Sequence, residues 1–190
     1  MNKDNLSKKH WKVLERKEKF KGDWIDLNVD KILLPDGSMI DYEALNYHRG
    51  GVGIVAENEK GEVILVKNYR YIIDFTGWEV PAGTIPPEQH HSDCIIQELK
   101  EEAGCEVLKE SLIYLGNYYP SIGSGNQHFH CYYAKGVKQV HKHQDTNEIL
   151  ETKWFNKEVV KEMIKTGEIK DGFSLTLLMR VLLNDSIQLP

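Results

Sequence analysis

The chain lacks any apolar run approaching the ~18 residues of a membrane-spanning helix, and residues 1–9 are polar, without the hydrophobic core of an export signal. Neither an anchor nor a secretory leader is expected, so the cytoplasm is the expected compartment. Cysteine is scarce: Cys94, Cys105 and Cys131 lie far apart and form no CxxC pair. A disulfide framework and a zinc site are both disfavoured, and buried thiols are the plain alternative. Positive charge is in deficit, with 24 Lys and Arg against 29 Asp and Glu and a net charge of -5. That balance argues against a nucleic-acid backbone or an anionic membrane as the main partner. Repeats, low-complexity tracts and long linkers are also missing. A length of 190 residues suits one well-buried body with a small appended piece, not two full domains.

What the chain does have is acid where helix physics disfavours it. After Pro86 and Pro87, the apolar residues Ile95, Ile96, Leu99 and Ala103 fall at helical spacing, and Gly104 is a left-handed stop. Glu98, Glu101 and Glu102 are spaced i, i+3, i+4, which puts three carboxylates on one arc beside the apolar stripe. The like-charge i,i+4 pair costs about 0.2–0.5 kcal/mol, and each anion in the last turn opposes the helix dipole by roughly 0.3–1 kcal/mol. A solvated acidic face relieved by Lys100 is the common outcome for a Glu-rich helix. A tight set of oxygen ligands also suits Mg²⁺ or Mn²⁺, ions that commonly serve phosphate chemistry, which makes a diphosphate the natural substrate.

The segment from Gly83 to Cys105 resembles the Nudix box: glycine, five residues, Glu, seven residues, then Arg-Glu-apolar-x-Glu-Glu-x-Gly-apolar. Gly83, Glu98, Leu99, Glu101, Glu102 and Gly104 match in register, and Cys105 serves as the apolar end. Two positions depart: Gln89 replaces the first glutamate and Gln97 replaces the arginine that pairs with the acids. The Tyr69-Arg70 pair, the run Trp78-Glu79-Val80-Pro81-Ala82-Gly83, and Pro120 sixteen residues beyond Gly104 resemble the ADP-ribose pyrophosphatase branch. The resemblance implies an α/β/α sandwich with a mixed sheet, preceded over residues 1–47 by an antiparallel β leaf that builds a homodimer, with the hydrolase domain over residues 48–190. It implies Mg²⁺ (or Mn²⁺) held by Glu98, Glu102 and the Ala82 carbonyl, with Glu101 holding water or acting as base. Arg70, Trp78, Glu79 and Gln127 are the implied substrate contacts. Arg70 can grip a phosphate bidentately or form a surface ion pair, and Trp78 can line a site or pack in the core.

Elsewhere the patterning is uneven. Residues 11–20 are ambiguous. Ile25, Leu27 and Val29 alternate as a strand, Pro35-Asp36-Gly37 makes a turn, and residues 38–47 return as its partner. Residues 50–57 and 62–70 read as a hairpin, and residues 112–119 and 129–134 as strands around a turn-rich loop. That loop supplies a glutamate near the attacking water in the family, but carries only Asn126 and Gln127 here. An amide orients water without taking its proton, so Glu101, Glu148 and Glu151 are the substitutes. His128 and His130 face one way from a strand, where a packed pair is commoner than a metal pair. His90, His91, His141 and His143 are expected in solvent. Asn156 caps a helix over residues 157–165 closed by Gly167, and Asp171 or Ser174 opens a buried helix over residues 175–183.

The expected reaction is metal-dependent hydrolysis of a nucleoside diphosphate linked to another moiety, ADP-ribose first. The missing charges at Gln89 and Gln97 and the two loop amides favour one alternative, a non-catalytic nucleotide-binding module. A prenyl diphosphate isomerase is a more distant one, since neither Cys94 nor Cys105 sits in a matching motif.

Overall fold

A computed structural model describes residues 10–141 and 148–183. The His143 reading falls outside them. The chain divides into two compact units, one gathering the residues up to Arg49 with Ser121–Gln127, the other Gly50–Pro120 with the residues from His128 onward.

In the first unit, β1 (Lys12–Lys21), β2 (Ile25–Leu33) and β3 (Met39–Tyr47) form an antiparallel sheet in that order. The ambiguous residues 11–20 are therefore mostly strand. Their pattern is unreadable because every residue of β1 is exposed, so no burial alternation marks it. Register is fixed instead by pairing with β2 and by the fork from Arg16 to buried Asp30, at 2.8 and 2.7 Å. The segment Ser121–Gln127 docks on β3: Leu45 N donates to Ser124 O at 2.8 Å and Tyr47 N to Asn126 Oδ1 at 2.6 Å.

In the second unit, β4 (Gly51–Ala56) lies between β7 (Ala82–Thr84) and β10 (Phe129–Ala134), and β9 (Ile113–Tyr118) closes that sheet. The β4–β10 pair is parallel and the others antiparallel, so the sheet is mixed. A second sheet has β5 (Glu62–Arg70) between β6 (Phe75–Glu79) and β12 (Ile149–Asn156), and β8 (Cys105–Glu106) pairs with β11 (Lys138–Gln139). The helices are α1 (His91–Ala103), α2 (Lys157–Thr166) and α3 (Gly172–Leu182). Strand alternation sorts the core into two layers. Val52, Ile54, Ile64 and Val66 pack with Ile95 and Leu99 of α1, while Val55, Val63 and Leu65 pack with Val160 of α2 and Leu177 and Leu178 of α3. The unit is thus an α/β/α sandwich with α1 alone on one face.

The histidines differ in part from expectation. His91 is half-buried, its ring stacked on His130 with centroids 4.0 Å apart, and His90 lies 4.1 Å from His91. Apolar ring faces pack together once α1 starts beside β10, which no local pattern reveals. His128 and His130 do form a ring pair, edge to face at 5.4 Å.

Candidate active site

α1 is positioned by its ends. His90 accepts from Ser92 N at the N-terminus, and Gly104, with φ of 63°, closes the C-terminus by donating to Lys100 O at 3.0 Å. Its apolar stripe faces the sheet, and one acid goes in with it: Glu102 is only 7% exposed. The Ala82 backbone N–H meets it, donating to Glu102 Oε2 at 2.9 Å.

Gly83 carries the neighbouring contact. A Cβ there would lie 2.0 Å from Glu98 Oε1 and 2.1 Å from its Cδ, so the carboxylate rests directly on the glycine backbone. Gly83 is absent from the positive-φ residues, so the demand is for space and not for an unusual torsion. Two acids one helical turn apart are therefore drawn to one short strand, β7. Burial, then the charges of Glu98 and Glu148, push the Glu102 carboxyl up to about 8, against the lowering effects of the Ala82 N–H and of Arg70. A partly buried acid pair of this kind calls for a cation. Among the described residues no three His, Cys, Asp or Glu side chains form a metal-holding group. Carboxylate oxygens such as those of Glu98 and Glu102 are the donor type that a hard divalent ion takes alongside water.

Glu101, the third acid, is exposed and accepts from Gln97 Nε2 at 2.9 Å. Cys94 is buried beneath them, its Sγ 3.6 Å from Thr84 O and 4.0 Å from Glu98 Oε1. Burial first, then the charges of Glu98 and Glu101, raise its thiol to about 11, so it is not a thiolate nucleophile.

A second group sits at the end of β5. Arg70 Nε donates to Glu79 Oε1 at 2.9 Å and Nη2 donates to Oε2, a bidentate clamp on a carboxylate that is itself 6% exposed. Asn68 Nδ2 adds a bond to Glu79 Oε2 at 3.2 Å. Arg70 thus has a buried partner, stronger than a surface ion pair, and one edge of its guanidinium is committed to Glu79. Asn68 was not legible as part of this group, since a polar residue in a strand carries no sign that it faces inward. Arg70 and Glu148 also line a cavity of about 650 Å³ with Tyr69, Tyr71 and Leu150. Among the substitute bases, Glu148 acts electrostatically on Glu102, whereas Glu151 lies 3.9 Å from Lys67. Trp78 is 8% exposed and packs edge-on against Phe155 at 4.8 Å, in keeping with the packing alternative. Gln127 ends the segment that belongs to the first unit.

A model of the NUDIX domain matches residues 47–173, two-thirds of the chain. The chain belongs to the Nudix family. As a Nudix protein it also matches, over residues 11–44, the nucleoside diphosphate sugar hydrolase N-terminal domain. It is 26% identical over 179 residues to an ADP-ribose pyrophosphatase of Bacillus subtilis strain 168, covering 93% of this chain and 95% of that protein. It is 24% identical over 168 residues to a CMP-5'-(N-acetyl-N-hydroxy-3-aminopropyl)phosphonate hydrolase of Streptomyces rubellomurinus, covering 88% and 80%. A solved ADP compounds hydrolase superposes with a TM-score of 0.79 at 16% identity, over 90% of this chain and 91% of that one, a likeness of fold. The acids of α1 and the Gly83 contact therefore belong to a Nudix hydrolase of the ADP-ribose pyrophosphatase-like branch.

Proposed function

We propose that this Nudix hydrolase cleaves the pyrophosphate bond of a nucleoside diphosphate linked to another moiety, with ADP-ribose the first candidate, giving AMP and ribose 5-phosphate. The observation carrying the reading is the pair of acids, Glu98 and Glu102, gathered on the backbone of Ala82 and Gly83. Those two carboxylates and the Ala82 carbonyl would hold Mg²⁺ or Mn²⁺. Such an ion, when bound, lowers the pKa of water and neutralises charge growing on the diphosphate oxygens. Glu101 would orient the attacking water, and Glu148 or Glu101 would accept its proton. Glu148 is supported by lining the same cavity as Arg70 and by its electrostatic effect on Glu102. Arg70, steadied by Glu79, would bring positive charge to the diphosphate. Trp78 would support the wall by packing. The low identity to the pyrophosphatase relative leaves the leaving moiety open, so the test is a panel. ADP-ribose and other nucleoside diphosphate sugars are incubated with Mg²⁺ and the nucleotides resolved; AMP from ADP-ribose is expected, and no product from any member overturns the reading.

We further propose a homodimer formed through the first unit. β1 is exposed throughout, and Trp11, Val13, Leu14, Phe20, Trp24 and Met39 are all more than half exposed, apolar surface that a second copy would cover. Light scattering should give twice the 21.9 kDa chain mass, and a monomer at micromolar concentration overturns this. No helix among the described residues is long and apolar enough to cross a membrane.

A further inference from the structure

The two positions at which α1 and its approach depart from the box pattern touch each other. Gln89 Nε2 donates to Gln97 Oε1 at 3.3 Å, and Gln97 Nε2 donates to Glu101 Oε1 at 2.9 Å. We propose that Gln89 and Gln97 form a one-way hydrogen-bonded relay that positions Glu101, an inference that rests on the hydrolase reading above.

The direction of the relay follows from chemistry. An ionised carboxylate only accepts, so Gln97 must turn its NH₂ to Glu101 and its carbonyl outward. That carbonyl can in turn be met only by a donor, which fixes the NH₂ of Gln89 toward it. Both amides are thereby oriented by the acid at the end of the line, and each bond polarises the next.

An i,i+4 amide–carboxylate contact on a helix surface is common and weak when it stands alone. Here a third member comes from outside the helix and is held in place. Glu88, immediately before Gln89, takes a left-handed backbone with φ of 65°, a conformation rare for a residue with a side chain. The turn is closed by Gln89 N donating to Pro86 O at 3.3 Å. A strained turn that delivers one amide onto another is more than a solvated face requires. The result is that one oxygen of Glu101 is committed to Gln97, which is itself met from outside the helix by Gln89. The bracing is done by neutral groups, so the three acids of α1 are kept while the arginine and the first glutamate of the family pattern are dispensed with.

The relay order predicts how variants combine. Gln97→Ala should lower kcat on ADP-ribose with Mg²⁺ about tenfold, the scale of lost outer-shell support, with KM and Tm unchanged. Gln89→Ala should lower kcat by a smaller factor, about threefold, because it acts through Gln97, and should add nothing in the Gln97→Ala background. Gln97→Arg restores a donor and should retain activity. Independent losses in the double variant, or unchanged kcat in Gln97→Ala, overturn the relay. An activity-free readout separates this from failure of the hydrolase reading: the Gln97 side-chain amide resonances should move in both Glu101→Gln and Gln89→Ala. If the wild type cleaves nothing yet those resonances move, the hydrolase reading falls and the braced carboxylate stands. If they stay still, the relay is overturned whatever the activity.

Discussion

Replacing Gly83 by alanine should separate the site from the scaffold. Gly83 is not among the positive-φ residues, so its backbone conformation places no special demand on alanine. The added Cβ, however, would sit 2.0 Å from Glu98 Oε1, and real contacts do not fall below 3.0 Å, so the carboxylate must retreat by at least 3.0 − 2.0 = 1.0 Å. The displaced atoms are the far end of a flexible side chain, so the fold should absorb the change and Tm should stay within a few degrees. The chemistry should not, because a misplacement of about 1 Å costs on the order of a hundredfold, about 2.7 kcal/mol of transition-state stabilisation. The assay is kcat/KM on ADP-ribose across a Mg²⁺ titration, beside thermal unfolding. Gly172→Ala is the control, since a Cβ there meets nothing within 4 Å. Full kcat/KM in Gly83→Ala, or a fall in Tm that accounts for the lost activity, would refute the reasoning.

Glu102→Gln should abolish metal-dependent turnover while preserving the fold. Mn²⁺ raises the wild-type Tm if it binds the native state, and that increment should vanish in the variant; an undiminished increment places the ion elsewhere. The ring cluster should make stability sensitive to acid. Burial, followed by His91, His128 and His90, pushes His130 down to about 4, and burial also lowers His91. The unfolded chain then binds more protons below about 6.5, so stability is full above that pH and falls toward pH 4. Urea midpoints between pH 7 and 5 should show a slope that His130→Gln flattens; an unaltered slope counts against the cluster. Glu57 is buried and accepts from Tyr133 Oη and Lys157 Nζ, each at 2.6 Å. Glu57→Ala would strand the tyrosine hydroxyl and unpair the lysine, at about 2–4 kcal/mol in chemical denaturation. A loss under about 1 kcal/mol would remove that triad as a tether between α2 and β10.

Much of the second unit was legible because its elements carry their own punctuation. α1 has periodic apolar residues and a glycine stop, α2 has Asn156 as a cap accepting from Glu158 N at 2.9 Å, and β4 is buried along its whole length. The last helix begins at Gly172, three residues before the expected 175, because Asp171 caps it by accepting from Ser174 N at 2.7 Å. The elements without such marks were missed. β6 follows a 3-10 turn at Tyr71–Ile73 that ends in Asp74 at φ of 46°, a reversal closed locally by Asp74 N donating to Tyr71 O at 3.2 Å and marked by neither glycine nor proline. β1, exposed throughout, offers no alternation at all, and its strand state depends on β2 being alongside.

The site was legible in its acids and illegible in what holds them. Spacing alone puts Glu98, Glu101 and Glu102 on one arc of α1, but it assigns all three the same standing. The tertiary surroundings make them unequal. Glu102 is buried and met by the Ala82 N–H, Glu98 rests on Gly83, and Glu101 stays exposed against Gln97. Except for Gln97, those partners lie fifteen residues or more upstream of the acids they brace, and so escape any reading confined to the helix. This inequality bears on chemistry more than the count of carboxylates does. A partly buried pair held against backbone is suited to gripping an ion, while a solvated third acid braced by an amide is suited to handling water. A helix whose three acids were equally solvated would need no partner, and the cost of crowding them in its last turns would have no offset.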